Sequence, residues 1–382
     1  MTDRHWLHRI SRTAVIMLSL LVRPVGAQIA PSLDPVTVRA ALVPRVNDGT
    51  FRGIAAGWTD GDSVRATGAG VTRQRGAAID AATRFELGEA AETFTIALLA
   101  NLVVTGDLSL DDLAQGFLPP DIRLPHRLGR AITLGDLAFH RAGLPNVQVV
   151  GAQSPTERIA RSLKGALLRS DIGSRYAYSQ LGIEILGLAL SRHLRMPLAT
   201  AIQLRLLSPL SIPDIVPSFE PRLASRDAIG HRSDGKAVAR VRETPGSWRA
   251  TVVAMTRFAS AASDTIRGPL ASTFALMMRT RSLGPDPTLP VALGWRVLRL
   301  DSRDIYWHDA QQAPGFSAYI AMDPRQHRAA AVLSNSAHDV DSVAGALLLG
   351  RVPNIAAALR TQPTRRMSPT RSRSRSRTRT HK

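Results

Sequence analysis

Two carboxylates, Glu89 and Glu92, stand three residues apart at the predicted start of a buried helix. Residues three apart lie on one helix face, so like charges at these positions repel each other. If both side chains are buried, one must take up a proton or both must meet a cation. On a solvated surface, the same pair would simply interact favourably with the positive end of the helix dipole. The helix itself is predicted from apolar residues that recur at helical spacing after Gly88, namely Phe94, Leu98, Leu99, Leu102 and Val103.

The elements that must position this pair are predicted from turn residues and periodicity. Asp60-Gly61 lies between two strand-like runs, 53–58 and 63–68, which indicates a hairpin. Period-two patterns predict consecutive strands over residues 293–298, 305–308, 316–322 and 329–333. Helices are predicted over 107–112 with Asp107 as the cap, over 132–140, across most of 155–225, and from Asp339 to Leu348. Strands on both sides of a helical middle predict one antiparallel sheet built from both ends of the chain.

The segment around the Glu pair resembles the active-site segment of the serine β-lactamases and penicillin-binding D-alanyl-D-alanine carboxypeptidases. In that family Phe-x-x-Gly precedes Ser-x-x-Lys at the start of a central helix. Phe85 and Gly88 are kept here, whereas Glu89 stands at the Ser position and Glu92 at the Lys position. The resemblance extends over residues 40–350. Three further segments match named family motifs: His140–Pro145 matches His-Thr-Ser-Gly-Leu-Pro, Tyr178–Gly182 matches Tyr-Ser-Asn-x-Gly, and His308–Ala310 stands where Lys-Thr-Gly or His-x-Gly would be. Other family landmarks are matched by Gly106–Asp112, Gly246–Thr251, Arg257-Phe258 and Pro314–Ser317, the last as in the esterase-like branch.

The resemblance implies an α/β (α+β) fold of the β-lactamase/transpeptidase type. It has an antiparallel sheet flanked by helices, a helical subdomain, and the cleft between them. In the family mechanism, Lys and Tyr activate the Ser hydroxyl to form an acyl-enzyme, and two backbone N–H groups stabilise the oxyanion. By position, Tyr178 would be the general base and His308 would belong to the third motif. The oxyanion hole would be formed by the amides of Glu89 and Gln311.

Four departures from the family pattern argue against that chemistry. The nucleophile and the ammonium group are lost at Glu89 and Glu92, and the motif Asn is replaced by Gln180. Ala310 replaces a Gly that lets substrate lie close to the strand, so its Cβ should crowd the cleft. Acylation of Glu89 itself would give an anhydride, which is a poor intermediate for hydrolysis. The preferred interpretation is a pseudoenzyme that binds a peptidoglycan peptide, a small ester or amide, or another envelope ligand.

Two alternatives keep an active hydrolase. The nucleophile could be displaced to Ser179 or Ser233, although the Asp-Gly pair inside the second Ser-x-x-Lys, Ser233–Lys236, favours a hairpin turn. Glu89, Glu92 and His308 could instead form a two-carboxylate-one-His metal site. The preferred interpretation has neither a metal nor a cofactor. His140 is expected to pack or to form hydrogen bonds rather than to catalyse.

Composition and charge distribution further restrict the possible chemistry and location of the protein. The chain has 382 residues, 44% of them hydrophobic, and no cysteine, which excludes disulfides, thiol nucleophiles and Cys-ligated zinc. Residues 1–27 have the layout of a signal peptide, which predicts a periplasmic or secreted protein with no transmembrane segment in the mature chain. Residues 28–360 would form the hydrolase-like domain.

The basic tail, residues 361–382, suggests a third function from a different class. It contributes +8 to the net charge of +19 and is rich in Arg and Ser, so it could bind a polyanion. It has no interleaved aromatic residues, so specific nucleic-acid recognition is not expected. The alternative is a disordered extension with no fixed partner.

Overall fold

In the computed structural model of the protein, the described residues are 33–147, 154–217, 221–238, 247–286, 289–310 and 314–353. Their strands are β1 (Gly53–Asp60), β2 (Ser63–Gly70), β3 (Arg84–Glu86), β4 (Ile215–Pro217), β5 (Trp248–Thr251), β6 (Arg281–Asp286), β7 (Leu289–Ala292), β8 (Trp295–Leu300), β9 (Arg303–Ala310), β10 (Ser317–Asp323) and β11 (Arg328–Ser334). Their α-helices are α1 (Pro35–Asn47), α2 (Glu92–Val104), α3 (Leu134–Ala138), α4 (Pro155–Leu163), α5 (Gln180–Leu194), α6 (Leu198–Ile202), α7 (Val252–Ser263), α8 (Ala271–Arg279) and α9 (Asp341–Leu348). Short 3₁₀ turns cover Gly88–Ala91, Ala114–Phe117 and Pro221–Arg226, and a π-helical turn covers Gln203–Leu207.

The main sheet joins the two ends of the chain. Its order is β2-β1-β11-β10-β9-β8-β7-β6, and β1 pairs antiparallel with β11 so that Ile54 lies opposite Ser334. This confirms the prediction of one antiparallel sheet built from both ends. The predicted hairpin at Asp60-Gly61 is the β1–β2 connection.

Helices cover both faces of this sheet, and the β11 sequence shows why. Ala331 and Leu333 pack into the core that contains α7 and α2, whereas Ala330 and Val332 pack into the core that contains α1 and α9. Successive side chains of a strand point to opposite faces, so a strand buried on both faces reads as a continuous apolar run. Residues 329–333 read in this way. A small second sheet, in the order β3-β5-β4, leads the chain into the 3₁₀ turn Gly88–Ala91.

The predicted helix over residues 107–112 is wrong. The structure places a turn there, and the polar side chains expected to start a helix bond to nearby backbone instead. The Ser109 amide donates to Asp112 Oδ2 at 2.8 Å, and the Asp111 amide donates to Ser109 Oγ at 3.2 Å. Such local bonds compete with helix formation for Ser and Asp.

The other helical predictions are confirmed in position. The segment 132–140 contains the short helix α3, which is stabilised by a capping box between Thr133 and Asp136. At the last helix, Asp339 Oδ1 accepts a hydrogen bond from the Asp341 amide at 2.7 Å. None of the helices in the described residues is long and apolar enough to span a membrane.

Candidate active site

Glu92 occupies the first turn of a tightly packed helix. Gly88 adopts a left-handed φ of 51°, which turns the chain from β3 into the 3₁₀ segment, and α2 begins at Glu92. Phe94 fixes the start of α2 by edge-on contacts with Phe258 and Trp248, whose ring centroids lie 4.9 and 5.7 Å away. The Glu92 side chain is therefore held in the interior and is only 7% exposed.

Tyr178 is hydrogen-bonded to this carboxylate. Its Oη donates to Glu92 Oε1 at 2.6 Å, the short length typical of a charge-assisted bond. Burial raises the pKa of Tyr178 well above its ordinary value of 10, and the negative charges of Glu92 and Glu89 raise it further. Tyr178 therefore keeps its proton and serves as a hydrogen-bond donor.

His140 contacts the same carboxylate on its other side. The His140 Nδ1 atom accepts the Ser179 amide at 3.3 Å, so the neutral ring carries its proton on Nε2, which lies 3.5 Å from Glu92 Oε2. The ring centroids of His140 and Tyr178 are 4.7 Å apart. The backbone of His140 has a φ of 52°, a conformation that non-glycine residues seldom adopt and that often marks a functional position.

His308 lies on β9 and is also buried. Its Nδ1 is 3.0 Å from the Asp309 carbonyl oxygen; a carbonyl can only accept, so Nδ1 carries the proton. Burial lowers the pKa of His308, and the nearby Arg296 cation lowers it further. Arg296 bonds to Asp309 Oδ1 at 2.7 Å and stacks over the Trp307 ring at 4.8 Å. At neutral pH His308 is therefore an uncharged imidazole beside a fixed cation.

A small cavity lies beside His140 and His308. A cavity of about 20 Å³ is lined by residues that include His140, Tyr176, Arg296 and His308. Such a volume holds about one water molecule. The Ala310 side chain at the end of β9 is buried.

The structure brings most of the predicted site residues together. Glu92, Tyr178 and His308 are buried or half-buried around one region, and Glu89 is close enough to Tyr178 for its charge to affect the pKa of that side chain. Gln180 is the first residue of α5, and its amide donates to Asn146 Oδ1 at 3.2 Å. Gln311 lies outside the described residues.

The sequence analysis missed the roles of His140 and Arg296. The expectation that His140 forms hydrogen bonds agrees with its contact with the Ser179 amide, but its approach to Glu92 was not foreseen. Its place in the His140–Pro145 landmark was the available signal. Arg296 had no such signal, because its ion pair with Asp309 depends on the pairing of β8 with β9.

The geometry gives the displaced-nucleophile alternatives no support. Ser179 is the N-cap of α5: its Oγ accepts the Gly182 amide at 3.1 Å and donates to the Pro145 carbonyl at 3.0 Å. Ser233–Lys236 is a turn, in which the Arg232 amide bonds to the Lys236 carbonyl and Gly235 has a φ of 79°. The Lys236 side chain is 80% exposed and pairs with Asp234.

The metal alternative lacks support as well. Among the described residues, which include Glu89, Glu92 and His308, no three His, Asp or Glu side chains are arranged so that they could hold a metal ion. Of the two Glu92 oxygens, Oε1 accepts the Tyr178 hydroxyl, and His140 Nε2 lies 3.5 Å from Oε2.

An antiparallel sheet joined from both chain ends, with a Phe-x-x-Gly turn leading into a buried helix, defines a β-lactamase/transpeptidase-like fold. The family profile described as Beta-lactamase matches residues 38–351, and the chain belongs to this family. Among solved structures, the octameric penicillin-binding protein homologue from Pyrococcus abyssi superimposes with a TM-score of 0.73 at 20% identity, covering 85% of this chain and 79% of that one. A class C beta-lactamase gives a TM-score of 0.72 at 19% identity, with 82% and 95% covered.

Related sequences point to the same family. A D-alanyl-D-alanine-carboxypeptidase/endopeptidase AmpH from Escherichia coli K12 is 30% identical over 145 residues, which are 36% of this chain and 38% of the relative. A beta-lactamase from Lysobacter lactamgenus is 28% identical over 201 residues, 52% of this chain and 51% of the relative. Penicillin-binding protein 4 from Amycolatopsis lactamdurans is 24% identical, with 73% and 79% covered. The alignments with the first two span about a third to a half of their lengths.

Proposed function

We propose that this protein is a β-lactamase-related serine-hydrolase homologue that has lost catalysis by the family mechanism and acts as a binding module. The observation that carries the proposal is the 2.6 Å hydrogen bond from Tyr178 to Glu92. An ammonium group at this position would stabilise a tyrosinate and so favour a general base. A carboxylate stabilises the protonated tyrosine, which cannot accept a proton from a nucleophile.

The remaining features support the same conclusion. Glu89 carries no hydroxyl to acylate, and the cavity beside His140 and His308 has a volume of about 20 Å³. The buried Ala310 side chain takes up space that the family glycine leaves open. A ligand of this site would therefore contact the rim of the cleft, and peptidoglycan peptides or small esters and amides are the chemical classes we propose.

We further propose that the protein is exported to the periplasm or secreted. The basic and then apolar pattern of residues 1–27, followed by a small-x-small site before Gln28, supports this. Residues 1–27 lie outside the described part of the chain. N-terminal sequencing of the protein from the cell envelope would test the proposal, and a start at Gln28 is expected.

Reactivity with family substrates tests the loss of catalysis. The full chain is incubated with a fluorescent penicillin and with a chromogenic short-chain ester, in parallel with the Glu89→Ser/Glu92→Lys variant. We expect no labelling and no turnover by the native chain and recovered labelling in the double variant. The matched control, Glu89→Ala/Glu92→Lys, restores the ammonium group without a hydroxyl and should stay unlabelled. Turnover by the native chain would overturn the proposal.

The arginine-rich tail supports a second candidate function, binding of a polyanion. Residues 365–379 hold seven Arg and no acid, and they lie outside the described residues. Deletion of residues 361–382 should abolish retention on an immobilised polyphosphate while the melting temperature stays unchanged. Equal retention of both proteins would rule the tail out.

A further inference from the structure

A groove of about 190 Å³ opens three strands away from the candidate active site. Strand register places the two at the same end of the sheet: Ala310 pairs with Ala318 on β10, and Ser317 and Ile54 both pair with Ser334 on β11. Three strand spacings correspond to about 14 Å. We call it the Arg52 groove and define it by six of its lining residues, Phe51, Arg52, Val71, His231, Arg232 and His338.

The polar side of the Arg52 groove is cationic. Arg52 and Arg232 line it, and no Asp or Glu does. Among the described residues, neither the Arg52 nor the Arg232 guanidinium has an ion pair or a side-chain hydrogen bond. Arg52 is half-buried, and its guanidinium nitrogens are not among the buried atoms that lack a hydrogen-bond partner, so they reach the solvent of the groove. The guanidinium is therefore available to an anion from outside the chain.

His231 lines the groove together with Arg52. Its Nδ1 is 3.1 Å from the Asn335 carbonyl oxygen, which fixes the ring and places the proton on Nδ1. Burial lowers the pKa of His231, and the Arg52 cation contributes to the same shift. Arg52 therefore supplies the positive charge at this end of the groove, and His231 lines the same groove as an uncharged imidazole.

The other wall is apolar. Phe51 is buried and meets the His338 ring edge-on, with the centroids 6.3 Å apart. Val46 and Val71 also line the groove. A cationic end beside an apolar wall matches a molecule that carries both a negative group and a compact apolar body. A bare inorganic anion would leave that wall unused.

We propose that the Arg52 groove binds a small organic carboxylate, with the carboxylate on the Arg52 guanidinium and the apolar body against Phe51 and Val71. Arg52 provides paired N–H donors that match the two oxygens of a carboxylate. The groove is separate from the candidate active site, because its lining includes none of Glu92, Tyr178 and His308.

Calorimetry with a matched set of probes tests the proposal. Benzoate carries both features, benzamide has the same body without the charge, and inorganic phosphate has charge without an apolar body. We expect the full chain to bind benzoate at least about tenfold more tightly than either of the other two, since a charge-assisted bond is lost in one case and apolar burial in the other.

Variants locate the site. Arg52→Gln should weaken benzoate binding at least about tenfold, and Arg232→Gln should weaken it less because Arg232 is more exposed. Arg65→Gln is the control for net charge: Arg65 pairs with Asp60 at the far end of the β1–β2 hairpin, and its variant should bind like the native chain. The Glu89→Ser/Glu92→Lys variant should also bind benzoate normally.

Several results would overturn the proposal. They are benzamide binding as tightly as benzoate, phosphate binding more tightly, or Arg52→Gln and Arg65→Gln having equal effects. Loss of benzoate binding in the Glu89→Ser/Glu92→Lys variant alone would place the anion at the Glu92 site instead. A fluorescence melting curve of Arg52→Gln without ligand checks that the variant is folded.

Discussion

Replacing Tyr178 with Phe isolates the hydrogen bond between Tyr178 and Glu92. The change removes one oxygen and leaves Glu92 Oε1 without the donor that lies 2.6 Å away. Hydrogen bonds to charged groups contribute about 1.5–3 kcal/mol, and a buried carboxylate that loses its donor cannot turn to water. Since the Tyr178 ring is half-buried, we take the middle of this range and expect the free energy of unfolding to fall by about 2 kcal/mol.

Tyr306→Phe is the matched control. Tyr306 is also buried, but its hydroxyl lies 3.5 Å from the Met278 carbonyl oxygen, which is a long contact to a neutral acceptor. The same chemical change should therefore cost less than about 1 kcal/mol. Urea denaturation of both variants gives the two values directly.

A double-mutant cycle with Glu92→Gln measures how much of the cost of Tyr178→Phe depends on the charge of Glu92. Gln can still accept from Tyr178 but carries no charge, so Tyr178→Phe in this background should cost about 1 kcal/mol instead of 2. The expected coupling is therefore about 1 kcal/mol. If Tyr178→Phe costs no more than Tyr306→Phe, and Glu92→Gln does not change that cost, the hydrogen bond is not the feature that defines this site.

Three further predictions concern charge and pH. Glu92→Lys should lower the pKa of Tyr178, because it removes a negative charge that raises this pKa. NMR of ring-labelled tyrosine measures the shift, and an unchanged titration of Tyr178 would contradict the prediction. The lowered pKa of His308 contributes stability that is fully present above the unfolded value of 6.5 and is lost as the pH falls from 6.5 through the lower pKa of the folded state. Consequently His308→Asn should lose less free energy of unfolding than the native chain between about pH 7.5 and 5.5, whereas equal losses would show that His308 does not titrate in this way. Finally, Arg84→Met should cost about 3 kcal/mol in urea denaturation, because it removes the guanidinium that lies 2.6 Å from buried Asp227 while Arg249 stays 3.9 Å away, and a loss below about 1 kcal/mol would refute this.

The sheet could be predicted from the sequence because its strands are signalled locally. The Asp60-Gly61 turn and the apolar runs such as 329–333 identify elements without reference to their partners. The segment 107–112 failed for a reason that is also local: Asp and Ser can start a helix or close a turn with the same hydrogen bonds. The surrounding packing decides whether such a segment forms a helix or a turn, and a single sequence does not display that packing.

The site was predictable in its positions but not in its contacts. The resemblance indicated where Glu92, Tyr178 and His308 would stand, and the structure brings them into one region. It did not indicate that His140 would present Nε2–H to Glu92, because that depends on the Ser179 amide occupying Nδ1. Contacts between residues 39 and more positions apart are set by tertiary packing, which a single sequence does not display.

The contacts of Glu92 also explain why the fold tolerates a carboxylate at a position where the family has an ammonium group. A buried carboxylate is unfavourable unless donors surround it, and a Lys-to-Glu exchange in an otherwise unchanged site would normally leave one unpaired. Tyr178 donates a hydrogen bond to Glu92 Oε1, and His140 Nε2, which carries the ring proton, lies 3.5 Å from Oε2 without forming a hydrogen bond to it. The Tyr178 hydroxyl therefore supplies the donor that one carboxylate oxygen requires, and the His140 ring lies beside the other.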